Sequence, residues 1–394
     1  MPNTSIELLK EQIYKGENIS QICDLMIIGA VEMWSSDIHI EPLTNIVRLR
    51  YRIDGELREI LEYQTFLHQQ VVARFKIMSN LKIDEARVPQ DGRLSTVINN
   101  KALDLRVSTL PTVHGEKIVM RIVDKSKKIP NLFELGIEGH NKVLLEKAIA
   151  LPNGIIMTSW PTGSGKSTTL YSCLSNLNKP DVNIMTLEDP VESQIDGLNQ
   201  SQMFPDIGYN FAFGLRTALR QDPDIIMVWE IRDHETINVA IEAALTGHLV
   251  VSTIHTNSAA ETLTRILNMG IPAFLLPASI NAIIAQRLIR KLCQHCKKAV
   301  PMSNLDPHLK WRVEKALKRT AKEELLSRIS TEILQNPIFY ESVGCAECDN
   351  IGYKGRVGIY EILEITTSVK KLIIDGASAT IINEAAIIDG MISL

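Results

Sequence analysis

The chain is poor in several residue classes, and each shortage removes a class of protein. Six cysteines in 394 residues are too few for a disulfide-dense secreted scaffold. Basic residues do not outnumber acidic ones. The 42 Lys and Arg against 46 Asp and Glu leave a formal charge of −4, a poor basis for non-specific binding to DNA or to an anionic lipid surface, so no nucleic-acid partner is expected. No uncharged run reads as a membrane span. The longest, Ile266 to Gln286, contains Asn268, Pro272, Pro277, Ser279 and Asn281 and is expected to be a buried helical core segment. Met1 to Gly16 carries charges and no apolar stretch, so no signal peptide is expected and the protein is placed in the cytoplasm, peripheral to any membrane complex it serves. Internal repeats and low-complexity tracts are absent. What is present is 45% apolar and 22% charged, ample for cores, in a length that suits two to three domains of roughly 150 residues.

Ile6, Leu8, Leu9 and Ile13, then Ile19, Ile22, Leu25 and Met26, fall at helical spacing and predict two helices before residue 33. Strand-like runs follow at 36–40 and 46–52. Asp54-Gly55 predicts a hairpin turn into 57–60. A helix is expected near 65–80, then strands at 94–97, 103–109 and 117–123. Residues 1–124 thus form a small α+β domain, with 125–137 as a linker. Beyond it, apolar strands at 154–158, 183–187, 224–228 and 248–252 alternate with helices, the pattern of an α/β sheet covered on both faces, here over 138–290. Residues 291–360 hold paired cysteines around a charged helical insertion near 307–328, and 361–394 read as C-terminal helices.

The strand at 154–158 runs into Trp160-Pro161-Thr162-Gly163-Ser164-Gly165-Lys166-Ser167-Thr168. From Gly163 onward this is a phosphate-binding loop opening a helix, whose backbone N–H groups and dipole favour an anion. Residues 162–168 are the expected nucleotide-binding set, with Lys166 on the β- and γ-phosphates and the Ser167 hydroxyl on Mg²⁺. The first glycine position of the motif is Trp160. Two further strands end in carboxylates: Glu188, Asp189 and Glu192, then Glu230 and Asp233. Acids at the C-terminal ends of neighbouring strands sit where such a sheet opens its site, and they can hold Mg²⁺ or orient an attacking water. His248 and His255 flank the fourth strand, and one of them is a candidate γ-phosphate sensor.

With these motifs in hand, the chain resembles the GspE/PilB family of type II secretion and type IV pilus assembly ATPases. The likeness runs through Ser36-Asp37-Ile38-His39-Ile40-Glu41-Pro42, the loop ending at Ser167, Leu187-Glu188-Asp189-Pro190-Val191-Glu192, Leu219-Arg220-Gln221-Asp222-Pro223-Asp224, Thr246-Gly247-His248 and His255-Thr256-Asn257. The resemblance implies a RecA-like P-loop NTPase motor domain after a PAS-like N-terminal domain. It also implies ATP and Mg²⁺ as ligands, a homo-hexameric ring, and an inner-membrane platform protein as partner. It carries catalytic roles onto Glu188, Glu230 and His255, leaving open which acid is the base, and onto Arg106 and Arg121, whose guanidiniums would stabilise charge on the γ-phosphate. The family continues some tens of residues past Leu394, so truncation there is an expectation, and the extra N-terminal docking domain of many relatives is expected to be lacking.

Cys293-Gln294-His295-Cys296 and Cys345-Ala346-Glu347-Cys348 supply four thiolates in two knuckles, a set that satisfies tetrahedral Zn²⁺. Assembly-type members of the family share this element and retraction motors lack it. Cys23 and Cys173 read as core residues. Trp160 and Trp229 stand where the family has glycine, and Trp34 where glycine or alanine is usual. We read this common replacement as UGA codons that certain bacterial lineages decode as glycine. Should Trp160 and Trp229 be genuine, the alternative is a catalytically degenerate structural ring subunit.

Overall fold

The computed structural model describes residues 4–124, 128–132, 134–159, 165–319 and 337–394. It divides into two compact units, Met1–Lys128 and Ile129–Leu394.

The first unit starts with helices α1 (Thr4–Lys15) and α2 (Ile19–Glu32). Asn18 caps α2 through a bond from the Gln21 N–H, supplying one of the acceptors a helix start lacks. Strands β1 (Asp37–Pro42), β2 (Ile46–Ile53) and β3 (Glu56–Gln64) follow, then a 3₁₀ turn leading into α3 (His68–Met78), then β4 (Gln90–Ile98), β5 (Lys101–Thr112) and β6 (Gly115–Asp124). They form one six-stranded sheet in the order β3-β2-β1-β6-β5-β4. Its alternation is clean in β2, where Val47, Leu49, Tyr51 and Ile53 are buried and the arginines between them are not. That period of two gives the sheet one apolar face, which α1, α2 and α3 cover, and one charged face. Asp54 and Gly55 both have positive φ, 50° and 90°, as the β2–β3 hairpin turn requires.

The second unit holds α4 (Gly139–Ile149), β7 (Gly154–Ser159), α5 (Lys166–Leu177), β8 (Ile184–Glu188), β9 (Asn199–Gln202), α6 (Phe211–Ala218), β10 (Ile225–Val228), α7 (His234–Leu245), β11 (Leu249–Ile254), α8 (Ala259–Asn268), α9 (Leu276–Ser279) and β12 (Ile280–Leu292). After them come β13 (Lys298–Pro301), α10 (Pro307–Arg319), β14 (Ile338–Glu341), β15 (Tyr353–Glu364), α11 (Thr367–Ile374) and α12 (Ala379–Ile388). Seven strands make one sheet in the order β15-β12-β7-β11-β10-β8-β9. Neighbours from β12 to β9 are parallel, and β15 is antiparallel to β12. All residues of β7, β10 and β11 are buried, as expected of strands covered on both faces. β13 and β14 form a separate antiparallel pair. No helix of the described residues is long and apolar enough to cross a membrane.

Two expectations change. The run 266–286 is not one helical segment. Its first residues finish α8, a 3₁₀ turn at Ala273–Leu275 and the single turn of α9 follow, and from Ile280 it is strand. Pro272 bars continuation of α8, Pro277 sits in the first turn of α9, where its missing N–H costs nothing, and β12 finds partners on both sides, β7 and β15. Second, residues 353–364, placed by their sequence beside the cysteines or among terminal helices, form β15 and complete the main sheet. Of the helical insertion, α10 covers 307–319, and 320–336 lie outside the described residues.

Candidate functional site

Parallel strands β7, β8, β10 and β11 deliver their C-terminal ends to one edge of the sheet. Helix α5 begins there at Lys166, with Gly165 in the left-handed region at φ 84° as its N-cap. A side chain at 165 would approach Leu288 within 3.3 Å, so both backbone and space favour glycine. Ser167 and Thr168 fall in the first turn of α5. Trp160, Thr162, Gly163 and Ser164 lie outside the described residues.

Glu188 closes β8 and is fully buried. Its carboxylate is held by three side chains. Thr186 Oγ1 donates to Oε1 at 2.6 Å and Gln200 Nε2 to the same atom at 2.9 Å, while Tyr171 Oη donates to Oε2. Tyr171 belongs to α5, so the helix that starts at the phosphate loop also fixes this acid. Burial first, and the Glu188 charge second, push the Tyr171 phenol well above its usual value, which keeps it a proton donor to that acid. The Glu192 N–H donates to Tyr171 Oη at 3.2 Å.

Glu230 follows β10, 4% exposed, and meets two cationic or potentially cationic groups. Arg232 Nη2 lies 2.7 Å from Oε2 and His255 Nε2 lies 2.9 Å from Oε1. Bonding to Glu230, first among its causes, raises the Arg232 guanidinium further above its ordinary value. The two acids therefore differ in kind. Glu188 is enclosed by neutral donors. Glu230 faces His255 and Arg232, whose side chains are 49% and 68% exposed. Trp229 is buried, with its ring 5.9 Å from that of Tyr171. Its backbone is stitched across the sheet, the N–H donating to Leu187 O and the carbonyl accepting from Thr253 Oγ1.

Other candidates separate from this group. His248 precedes β11 at the opposite end of the strand, its Nδ1 3.0 Å from Ala243 O, a local structural contact. Asp233 caps α7, accepting from Thr236 N and Oγ1. Arg106 and Arg121 belong to the first unit, opposite one another on β5 and β6, and Arg121 Nε donates to Asp37 Oδ1 at 3.1 Å. Sequence reasoning missed Tyr171, Thr186, Gln200 and Arg232. Arg232 carried a usable signal, two residues past Glu230. Gln200 carried none, because it reaches Glu188 only through the pairing of β9 with β8.

The four cysteines converge. Their Sγ atoms lie within 4.8 Å of one another, with 293–345 at 3.9 Å, and 296–348 and 345–348 both at 3.7 Å. A tetrahedral Zn²⁺ with bonds near 2.3 Å sets its sulfurs about 3.8 Å apart, so the donor set fits that ion. β12 carries the first pair out of the sheet and β15 returns from the second. Backbone N–H groups of Cys345 and Gly352 donate to Cys348 Sγ at 3.3 and 3.2 Å. Desolvation raises that thiol, and these donors with the neighbouring cysteines outweigh it, so Cys348 falls below its usual range, which favours a thiolate ligand. Cys23 and Cys173 are buried, as expected of core residues.

Comparison with known proteins follows the same line. The family described as "Type II/IV secretion system protein" matches residues 13–389. The "Type IV pilus assembly ATPase PilB" of Myxococcus xanthus is 45% identical over 99% of this chain and 68% of its own length. That of Pseudomonas aeruginosa is 48% identical over 92% and 61%. The "Type II secretion system ATPase E" of Vibrio cholerae is 44% identical over 90% and 67%. The chain thus spans about two thirds of the length of these relatives. Among solved structures, the pilus retraction motor PilT with bound ADP aligns with TM-score 0.55 and 25% identity over 94% of both chains. The Legionella pneumophila ATPase DotB aligns with TM-score 0.63 and 22% identity over 93% of this chain and 88% of its own, which speaks to fold. The sheet, the acid-bearing strand ends, the four-cysteine cluster and these relatives agree, and the chain belongs to the type II/IV secretion system protein family, whose curated relatives here are PilB and GspE assembly ATPases.

Proposed function

We propose that this chain is a Mg²⁺-dependent ATPase and a subunit of a homo-hexameric motor that powers assembly of a type IV pilus or type II secretion pseudopilus. One observation carries the reading: β8 ends in Glu188 and Glu230 follows the adjacent parallel strand β10 by two residues, on the edge where α5 opens with Gly165-Lys166-Ser167. In this reading the second unit is a RecA-like motor domain and the first a PAS-like domain, joined by the linker at 125–137. Residues 162–168 bind the nucleotide. Lys166 contacts the β- and γ-phosphates, and Ser167 holds Mg²⁺, which screens phosphate charge and orients the γ-phosphoryl group. Glu188 and Glu230 share the work of placing water and taking up its proton. His255, anchored on Glu230, faces the γ-phosphate. Arg106 and Arg121 offset the charge that develops there. Cys293, Cys296, Cys345 and Cys348 hold a structural Zn²⁺. The ring works in the cytoplasm, peripheral to the inner membrane, against a platform protein of the machine.

The test is Mg²⁺-dependent phosphate release by the full chain carrying Trp160 and Trp229 and by the Trp160→Gly/Trp229→Gly variant. Turnover that Lys166→Ala abolishes supports the reading. Absence of turnover in both forms refutes it.

A further inference from the structure

The solvent-facing side of the N-terminal sheet carries a line of charges that strand register draws straight across it. Arg52 on β2 lies opposite Asp37 on β1, and Asp37 opposite Arg121 on β6. Arg121 lies opposite Arg106 on β5, and Arg106 opposite Arg93 on the edge strand β4. The residues flanking this line, among them Ile38, Leu105, Val107 and Met120, are buried in the core, so the charged side chains leave the other face. Four guanidiniums share one row with a single carboxylate. Like charges directly opposed on neighbouring strands, here Arg121, Arg106 and Arg93, oppose folding.

The pairing of charges along this face is uneven. Toward β3, Arg48 meets Glu59 and Glu62, while Arg50 and Lys117 both meet Glu41. Asp37 sits 3.7 Å from Arg52 and 3.1 Å from Arg121. It takes Nε of Arg121, a side chain that is 63% exposed, and so leaves the two terminal amino groups for an external acceptor. At the other end, the side chain of Arg93 is exposed and makes no hydrogen bond or ion pair among the described residues. Strands lie about 4.8 Å apart, so the arginines on β4, β5 and β6 line roughly 10 Å of surface, enough to follow a triphosphate chain. Guanidinium forks suit phosphate oxygens better than any other side chain.

We propose that Arg93 is a third polyphosphate-binding residue on this face, acting together with Arg106 and Arg121. The proposal rests on the reading of those two arginines given above and extends it by one strand. The full chain, in the form that turns over MgATP, is compared with Arg93→Gln, Arg93→Lys, Arg106→Gln and Arg121→Gln. The measurements are kcat, KM, inhibition by inorganic tripolyphosphate, and the thermal midpoint. Arg93→Gln is expected to lower kcat/KM and weaken tripolyphosphate inhibition by about tenfold or more, the scale of a lost hydrogen bond to a charged group, with the midpoint unchanged. Arg93→Lys should recover part of both. If Arg106→Gln and Arg121→Gln lose turnover while Arg93→Gln keeps wild-type kcat/KM and wild-type tripolyphosphate inhibition, the assignment of Arg93 is overturned and the roles of the other two stand. If all three glutamine variants behave as wild type, the reading beneath the proposal fails and the proposal with it.

Discussion

Replacing each site acid by its amide should separate their roles, because the two carboxylates are held so differently. Glu188 is fully buried with three donors aimed at it. In Glu188→Gln the new NH₂ group must face one of them. Gln200 cannot turn to accept, because its Nε2 also donates to Ser193 O at 3.0 Å. The amide nitrogen is therefore driven to the Oε2 side, against Tyr171 Oη, which already accepts from Glu192 N. The phenol proton is left buried without its acceptor, and two bonds to a charged group become neutral ones. Taking ~1–3 kcal/mol for an unsatisfied buried donor and partial loss of the charge-assisted bonds, the second unit should lose about 2–4 kcal/mol. Glu230→Gln meets partners that water can satisfy, Arg232 and His255, and should cost under ~1 kcal/mol. Urea unfolding of the full chain, followed by circular dichroism, gives the midpoints. Tyr171→Phe serves as a third point at about 1 kcal/mol. Equal midpoints for the two amide variants would refute the three-donor account of Glu188. Full turnover per folded molecule in Glu188→Gln would remove that acid from the chemistry and leave it a structural anchor.

Three other outcomes are expected. Trp34 follows Met33, the C-cap of α2, at φ 54°, its N–H bonded to Val31 O and that of Ser35 to Ala30 O, the bond pair of a Schellman turn that glycine usually completes. Trp34→Gly should be more stable than Trp34→Ala by about 1 kcal/mol, net of glycine's larger unfolded-chain entropy. Equal thermal midpoints would exclude backbone strain there. Lys76, fully buried, sits 2.6 Å from Glu116 Oε1; Lys76→Met should cost ~3–5 kcal/mol by stranding the carboxylate, and adding Glu116→Leu should recover most of it in a double-mutant cycle. Burial holds the imidazoles of His39 and His68 below the ordinary 6.5, so the unfolded chain takes up those protons first. Stability of the first unit should be full above about pH 6.5 and fall as pH drops through the lower folded-state values. A urea midpoint that stays level from about pH 7 to pH 5 would contradict this.

What the sequence made legible was local. Alternation in 46–52 and mainly apolar runs at 154–158 and 248–252 announce strands because one period or one composition decides them. Asp54-Gly55 announces its turn because few residue pairs accept positive φ in succession. The glycine and lysine at the start of α5 mark a phosphate site for a similar reason. The unreadable parts depend on partners far along the chain. β12 looked helical because its residues are apolar without alternation. It is a strand because β7 and β15, about 130 residues before it and about 75 after it, offer ladders on both sides. β9 is polar throughout, and pairing with β8 alone makes it a strand. The same distinction explains the site. Glu188 and Glu230 follow apolar strands and could be named in advance, whereas the donors that tell the two acids apart arrive from α5, from β9 and from the segment after β11. The expectation at Trp34 joins the two levels. It rested on a resemblance, and the backbone supplies an independent physical ground, since φ 54° with both closing bonds formed favours glycine whatever the relatives carry. No comparable argument attaches to Trp229, whose φ is not positive and whose ring is buried against Tyr171. Reading the codons at 34 and 229 therefore asks two different questions. UGA at 34 is what the turn geometry favours. UGA at 229 would mean that glycine stands there and that the ring packing on Tyr171 belongs only to the displayed sequence.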